Sequence, residues 1–251
     1  MNVKMVAVDL DGTLLRTDET ISGYTIDVFE RLRDLGIKVV FATARTVAGS
    51  QSFRAALNPD GDVVTGGCLV FAGSQLLRSY YFDSQWDGLL AELAENPLVT
   101  RVSGYALNAT YSSILIEGRI CADFKSPLPE KLLHCSFRTN DSELARAIAA
   151  RYPELSFLHT SGGDMYDIYP KDVTKLSGIK IIAEHFNICL SEVVAFGNDY
   201  NDIEMLKGCG VGVAVGNAID ECKAVADWVC DTNDNDGVAK WLERHIFQVC
   251  T

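Results

Sequence analysis

The stretch Val6-Ala7-Val8-Asp9-Leu10-Asp11-Gly12-Thr13 decides how this chain is read. Its first three residues are apolar and uncharged, as a strand buried on both faces requires. It then turns abruptly polar: two carboxylates stand two residues apart, followed by a glycine that permits a tight turn. In open α/β sheets, ligands bind beyond the carboxyl ends of the strands, which is where Asp9 and Asp11 stand. Two carboxylates held together repel each other unless a cation lies between them, and oxygen donors suit a hard divalent ion such as Mg2+. The plain alternative is a solvated Asp-Gly turn, and this stretch alone leaves both open.

Outward from it, strand and helix patterns alternate. Ile26, Phe29, Leu32 and Leu35 recur at helical spacing and Gly36 ends the run. Val39–Ala42 reads as a second buried strand, and Val63-Val64 and Leu69–Phe71 as further ones. This β-α-β order predicts a Rossmann-like α/β domain with a parallel sheet covered by helices on both faces. The middle of the chain reads differently. A helix face (Trp86, Leu89, Leu90, Leu93) is followed by strand candidates at 99–107, 111–117 and 135–138. A second helix carries Leu144, Ile148 and Tyr152 behind an Asp141 cap, and strands at 155–159 and 165–169 are joined by Thr-Ser-Gly-Gly. Helix, hairpin, helix, hairpin predicts an inserted α+β domain, placed at 83–171 between core segments 1–82 and 172–251. The α/β pattern then resumes with a helix through Leu176, Ile179, Ala183 and Phe186 and strands at 193–196 and 211–215.

Of the 251 residues 48% are apolar, enough for a sizeable core, while 34 acidic against 22 basic residues give a net charge of −12. That balance argues against a general nucleic-acid or anionic-membrane binder. The cysteines at 68, 121, 135, 189, 209, 222, 230 and 250 form no C-x-x-C, so buried free thiols are expected rather than a zinc cluster or disulfide framework. No apolar run approaches a membrane span and no leader pattern precedes the first strand, so a cytoplasmic location is expected.

Three further pieces bear on the Asp9 site. Thr43, in Ala42-Thr43-Ala44-Arg45, follows the second strand and carries a hydroxyl able to reach an anion. Lys175 stands where the inserted domain returns to the sheet; a lone lysine is usually a surface charge. Gly197-Asn198-Asp199-Tyr200-Asn201-Asp202 follows a strand and opens a helix, with more acidic and amide groups than capping needs.

Together these segments resemble the haloacid dehalogenase superfamily of phosphotransferases, in its Cof-like type IIB branch. Asp9–Thr13 matches the first motif, D-x-D-G-T; Thr43 the second; Lys175 the third. Gly197–Asp202 matches the fourth, G-D-x-x-N-D, and continues as Ile203-Glu204-Met205-Leu206. Val211–Ala218 is similar to V-G-V-A-M-G-N-A, and Asp236–Ala239 to D-G-V-A. The resemblance spans nearly the whole chain, and the insertion falls at the family's cap position.

It implies a Mg2+-dependent phosphatase for a small phosphorylated metabolite, sugar phosphates being favoured. Asp9 would be the nucleophile, Asp11 the acid and base, and Lys175 the charge partner. Thr43 and Asn201, with the Leu10, Gly12, Ala44 and Arg45 segments, would hold phosphate. Asp9, Asp11 through its carbonyl and Asn198 would form the metal site with Asp202 in support; the alternative is that Asp199 or Asp202 contributes directly or through water. For Arg45, facing the substrate and pairing with a surface carboxylate both remain open. The sequence departs from the pattern at Asn198, where the family has a metal-binding Asp, at Ala44 and at Leu176. A sugar phosphomutase and a sugar-phosphate-binding regulator without turnover remain as alternatives; the Gly210–Gly216 spacing does not fit a dinucleotide loop.

Overall fold

A computed structural model describes residues 2–82, 86–160 and 163–247. Residue 83, Ser161, Gly162 and Cys250 lie outside the described residues. The chain divides into two compact units, residues 1–79 with 174–251, and residues 80–173.

The first unit is built on β1 (Met5–Val8), β2 (Lys38–Ala42), β3 (Gly61–Val64), β4 (Leu69–Ala72), β5 (Gln75–Ser79), β12 (Val193–Gly197), β13 (Val211–Ala214) and β14 (Trp228–Val229). Their order in the sheet is β14-β13-β12-β1-β2-β3-β4-β5. Strand β1 lies between β12 and β2, parallel to both, with Val8 opposite Phe196 on one side and Phe41 on the other. The strand order reverses at β1, so a crevice opens at its carboxyl end. Side chains of β1 alternate between two cores. Val6 and Val8 pack with Phe29, Leu32, Val39, Phe41 and Phe196. Met5 and Ala7 pack with Val40, Val63, Ile179 and Ile182. Burial of both faces is why this strand reads as an unbroken apolar run.

The sheet is not parallel throughout: β3 is parallel to β2, but β4 runs antiparallel to both β3 and β5. Only residues 65–68 connect β3 to β4, and Thr65, Gly66 and Gly67 all have positive φ there, at 54°, 66° and 114°. A parallel return needs a crossover of a dozen residues or more; this one turns back on itself. Helix α1 (Gly23–Asp34) is capped by Ser22, and α2 (Val47–Leu57), which the sequence reading did not identify, by Thr46.

The second unit carries β6 (Arg101–Ala106), β7 (Thr110–Ser112), β8 (Ile120–Cys121), β9 (Leu132–Arg138), β10 (Leu155–His159) and β11 (Met165–Pro170), in the order β10-β11-β9-β6-β7-β8. All neighbours are antiparallel except β7 and β8. Helices α3 (Asp87–Glu95) and α4 (Ser142–Arg151) bring Leu89, Leu93 and Ile148 into one cluster with Val102, Cys135, Phe137 and Ile168. The strand expected at 111–117 stops at Ser112. The Ser113 side chain accepts the Val102 N–H at 2.9 Å, taking the place of a ladder carbonyl.

No disulfide links the described cysteines. Cys68, Cys135, Cys209 and Cys222 are buried, but Cys121 and Cys189 are exposed, which corrects the expectation of buried thiols throughout. No helix among the described residues is long and apolar enough to cross a membrane.

Candidate active site

Asp9 follows β1 directly and is 4% exposed. Its N–H continues the sheet by donating to the Phe196 carbonyl at 3.1 Å. The chain then turns through Asp11 and Gly12 before Leu14 N–H closes on the Asp9 carbonyl at 3.2 Å. Gly12 has φ +70°, and a Cβ built on it would stand 2.7 Å from the Asn198 amide nitrogen, so both conformation and space call for glycine. The Leu10 side chain is buried in the core, leaving only its backbone for the site.

Lys175 is the first residue of α5 (Lys175–His185), behind a Thr174–Ser177 capping box. A lysine opposes the helix dipole there. Two carboxylates offset this: its ammonium lies 2.7 Å from Asp9 Oδ1 and 2.7 Å from Asp202 Oδ1, with all three side chains buried. Gly178 presses α5 onto the sheet, since a Cβ there would fall 2.4 Å from Val63 Cγ1. Burial pushes the Asp9 carboxyl up, to about 7, with Lys175 pulling it down and Asp202 adding to the rise. Burial by itself would lower the Lys175 ammonium; Asp202 and Asp9 outweigh it and hold the charge in place.

Asp202 lies behind the site and supports it. One oxygen takes Lys175, and the other accepts the Asn198 and Asp199 N–H groups at 2.8 and 3.1 Å. With these contacts it braces Lys175 and the loop after β12. Asn201 lies half-buried on the same turn, Tyr200–Asp202.

Asn198 stands against the Asp9–Thr13 turn. The terminal amide atom facing that turn lies 2.8 Å from Thr13 Oγ1, 3.0 Å from the Asp11 carbonyl and 3.2 Å from Asp9 Oδ2. With nitrogen at that position, the amide donates to these oxygens. With oxygen there, several oxygens crowd together and need a cation. Ligands of an octahedral Mg2+ at about 2.0–2.1 Å stand roughly 2.9 Å from one another, close to these separations. Asp9, the Asp11 carbonyl and Asn198 therefore fit the ion. Among the described residues no three His, Cys, Asp or Glu side chains form a metal cluster.

Asp11 is half-exposed and paired with Arg45: Arg45 Nε lies 2.8 and 3.1 Å from the two Asp11 oxygens, and Nη2 lies 2.6 Å from Oδ1. Glu19 Oε2 stands 3.3 Å from the same Nη2, and the Asp11 hydrogen bonds foremost hold the guanidinium above its ordinary value. Arg45 thus meets a carboxylate of the site itself, neither of the two partners left open for it. Thr43, fully buried after β2, accepts the Arg45 N–H on its hydroxyl oxygen at 3.1 Å, which leaves its own proton to donate. Ala44 brings no polar group and spaces Thr43 from Arg45.

The profile of the haloacid dehalogenase-like hydrolases matches residues 6–242. The chain belongs to this family. It is 29% identical over 244 residues to an HMP-PP phosphatase of Escherichia fergusonii, covering 88% of this chain and 87% of that one. It is 25% identical over 254 residues to 5-amino-6-(5-phospho-D-ribitylamino)uracil phosphatase YcsE of Bacillus subtilis, covering 98% and 97%. Among solved structures, BT1666 of Bacteroides thetaiotaomicron, described among phosphatases of the haloalkanoate (HAD) enzyme superfamily, superposes with a TM-score of 0.87. It has 26% identity and covers 96% of this chain and 94% of that one.

The sequence reading gave no role to two bracing residues of this hydrolase. Asn217 donates to the Gly12 carbonyl at 2.7 Å and accepts the Asn233 N–H at 3.0 Å. Asn233 in turn donates to the Leu15 carbonyl at 2.9 Å. Asn217 sits in the Val211–Ala218 stretch and Asn233 just before Asp236–Ala239, so both lay in or beside segments already singled out.

Proposed function

We propose that the chain hydrolyses phosphate monoesters of small metabolites in a Mg2+-dependent reaction through a phosphorylated Asp9, with sugar phosphates the favoured class. One observation carries the reading: a buried carboxylate at the switch point of the sheet, bonded to a buried lysine, with a half-exposed carboxylate two residues further on. The names of its relatives support the coarser part, since they are phosphatases of small phosphorylated compounds.

In this mechanism an Asp9 oxygen attacks phosphorus while the bond to the leaving oxygen breaks and Asp11 gives that oxygen a proton. Water then attacks the acyl phosphate, Asp11 takes its proton, and the bond from Asp9 to phosphorus breaks. Phosphate leaves and both carboxyl groups return to their starting states. Lys175 steadies the charge on Asp9 throughout. The Thr43 hydroxyl and the Asn201 amide donate to phosphate oxygens. Asp9, the Asp11 carbonyl and Asn198 would hold Mg2+, which when bound neutralises charge on carboxylate and phosphate.

Phosphate release from a panel of phosphorylated metabolites tests the reading. Release that requires Mg2+ and is lost in Asp9→Asn is expected; equal release by that variant would refute it.

A further inference from the structure

The turn between β3 and β4 needs positive φ, and Gly66 and Gly67 supply it at no steric cost. Thr65 does not. Its φ is +54°, and a β-branched residue there is a genuine outlier, because the left-handed conformation crowds Cβ against the following carbonyl. Thr65 is also fully buried, and its hydroxyl oxygen has no hydrogen-bond partner. A buried hydroxyl without a partner is destabilising, and valine would fill the same space without one. Two costs therefore fall on one residue, where glycine would remove both. Outliers of this kind persist where the surroundings hold them in place, and they cluster at functional sites.

The surroundings of Thr65 are the candidate active site, all within the first unit. Its N–H donates to the Arg45 carbonyl at 2.8 Å, and the Gly66 N–H donates to the Thr43 carbonyl at 3.0 Å. The Thr43 N–H in turn donates to the Val63 carbonyl at 2.8 Å, so the two segments are laced together on both sides of Thr65. Gly67 lies so close to Thr174 that a Cβ built on it would stand 2.4 Å from the Thr174 carbonyl oxygen. Thr174 caps α5, whose first residue is Lys175. The turn thus touches the main chain beside three groups of the site: the Thr43 hydroxyl, the Arg45 guanidinium that grips Asp11, and the Lys175 ammonium bonded to Asp9. Glycine at 65 would reach the same φ but leave the junction free to move, whereas a buried β-branched side chain is stiff and fixes it.

We propose that Thr65 is a positioning residue: its left-handed backbone, locked by a buried branched side chain, holds Thr43, Arg45 and Lys175 in place relative to one another. Its effect on turnover rests on the phosphatase reading; its effect on backbone motion does not.

The test compares Thr65→Gly and Thr65→Val in the full chain. Thr65→Val keeps the branched side chain and discards the unpartnered hydroxyl, so its thermal midpoint should equal or exceed that of the wild type and its kcat should hold. Thr65→Gly, assayed well below its thermal midpoint, should lose kcat on the order of 10–100-fold, approaching what a misplacement of about 1 Å costs, with KM changing less. Amide hydrogen exchange in peptides spanning 43–49 and 174–178 should quicken about two- to fivefold in Thr65→Gly, the equivalent of the extra backbone freedom of glycine, and stay at the wild-type rate in Thr65→Val. Thr65→Asn, which tolerates the left-handed region without the branch, takes the place of a glycine variant that does not fold. Unchanged exchange in those peptides overturns the proposal. Quickened exchange with kcat unchanged overturns it too, as does an equal loss of kcat in Thr65→Val, which would assign the effect to the hydroxyl. Absence of phosphate release by the wild type refutes the phosphatase reading and leaves the exchange comparison to decide the role of Thr65.

Discussion

Arg45 grips Asp11 through contacts of 2.6, 2.8 and 3.1 Å, fixing the orientation of the carboxyl group assigned to proton transfer. The same guanidinium lies against Glu19 and reaches the Gly49 carbonyl at 3.3 Å, so it is itself held from several sides. Arg45 therefore acts as a positioning residue. Arg45→Met should lower kcat by about 10–100-fold, part of the roughly 10²–10⁴-fold that a well-placed proton donor contributes. KM should change far less, and the thermal midpoint should stay near that of the wild type. Steady-state kinetics on any accepted substrate checks this; a change confined to KM would place Arg45 on the substrate instead.

Lys175 is the only cation between two buried carboxylates, Asp9 and Asp202, among the described residues. Lys175→Met would leave both carboxylates without it. Breaking a buried pair from one side costs about 3–5 kcal/mol. Urea unfolding should show a loss of that order together with loss of activity. A stable but inactive variant would mean that the lysine serves chemistry alone.

Asn198 brings an amide where a carboxylate would add a charge. Asn198→Asp should tighten Mg2+ binding to the full chain roughly tenfold, because a charged oxygen replaces a neutral one. Calorimetric titration of Mg2+ into the metal-free protein reads this without reference to turnover. Unchanged affinity would remove Asn198 from the ligand set.

His134 lies buried between Tyr105 and Tyr169, and burial pushes its pKa down to about 3 from an ordinary value of 6.5. Between those values the unfolded chain takes up a proton that the folded chain refuses. The contribution is fully present above pH 6.5 and is lost as pH falls toward 3, at up to about 1.4 kcal/mol per pH unit. Urea unfolding across that window should show a steeper fall for the wild type than for His134→Gln; parallel curves would contradict the buried neutral imidazole.

The parts of the fold most legible in the sequence were those where one physical demand acted alone. β1 is buried on both faces, so its apolar run could be nothing else, and the polar turn after it announced the site. Harder to see was the reversal at Thr65–Cys68, where the shortness of the link, more than the apolar pattern of β4, dictates an antiparallel return. The truncation of β7 came from a Ser113 side chain replacing a ladder carbonyl, which no periodicity reveals. The Asp202 contact with Lys175 was not legible, because acidic residues clustered after a strand read alike whether they face a cation or a lysine. The Arg45–Asp11 contact joins residues 34 positions apart, and only the adjacency of β1 and β2 brings them together.

The most direct test of the account is a rapid acid quench during turnover of a 32P-labelled phosphate ester, followed by mapping of the label on the protein. The account predicts transient label on the peptide holding Asp9, absent from Asp9→Asn. Labelled phosphate released with no protein-bound label at any time would contradict it.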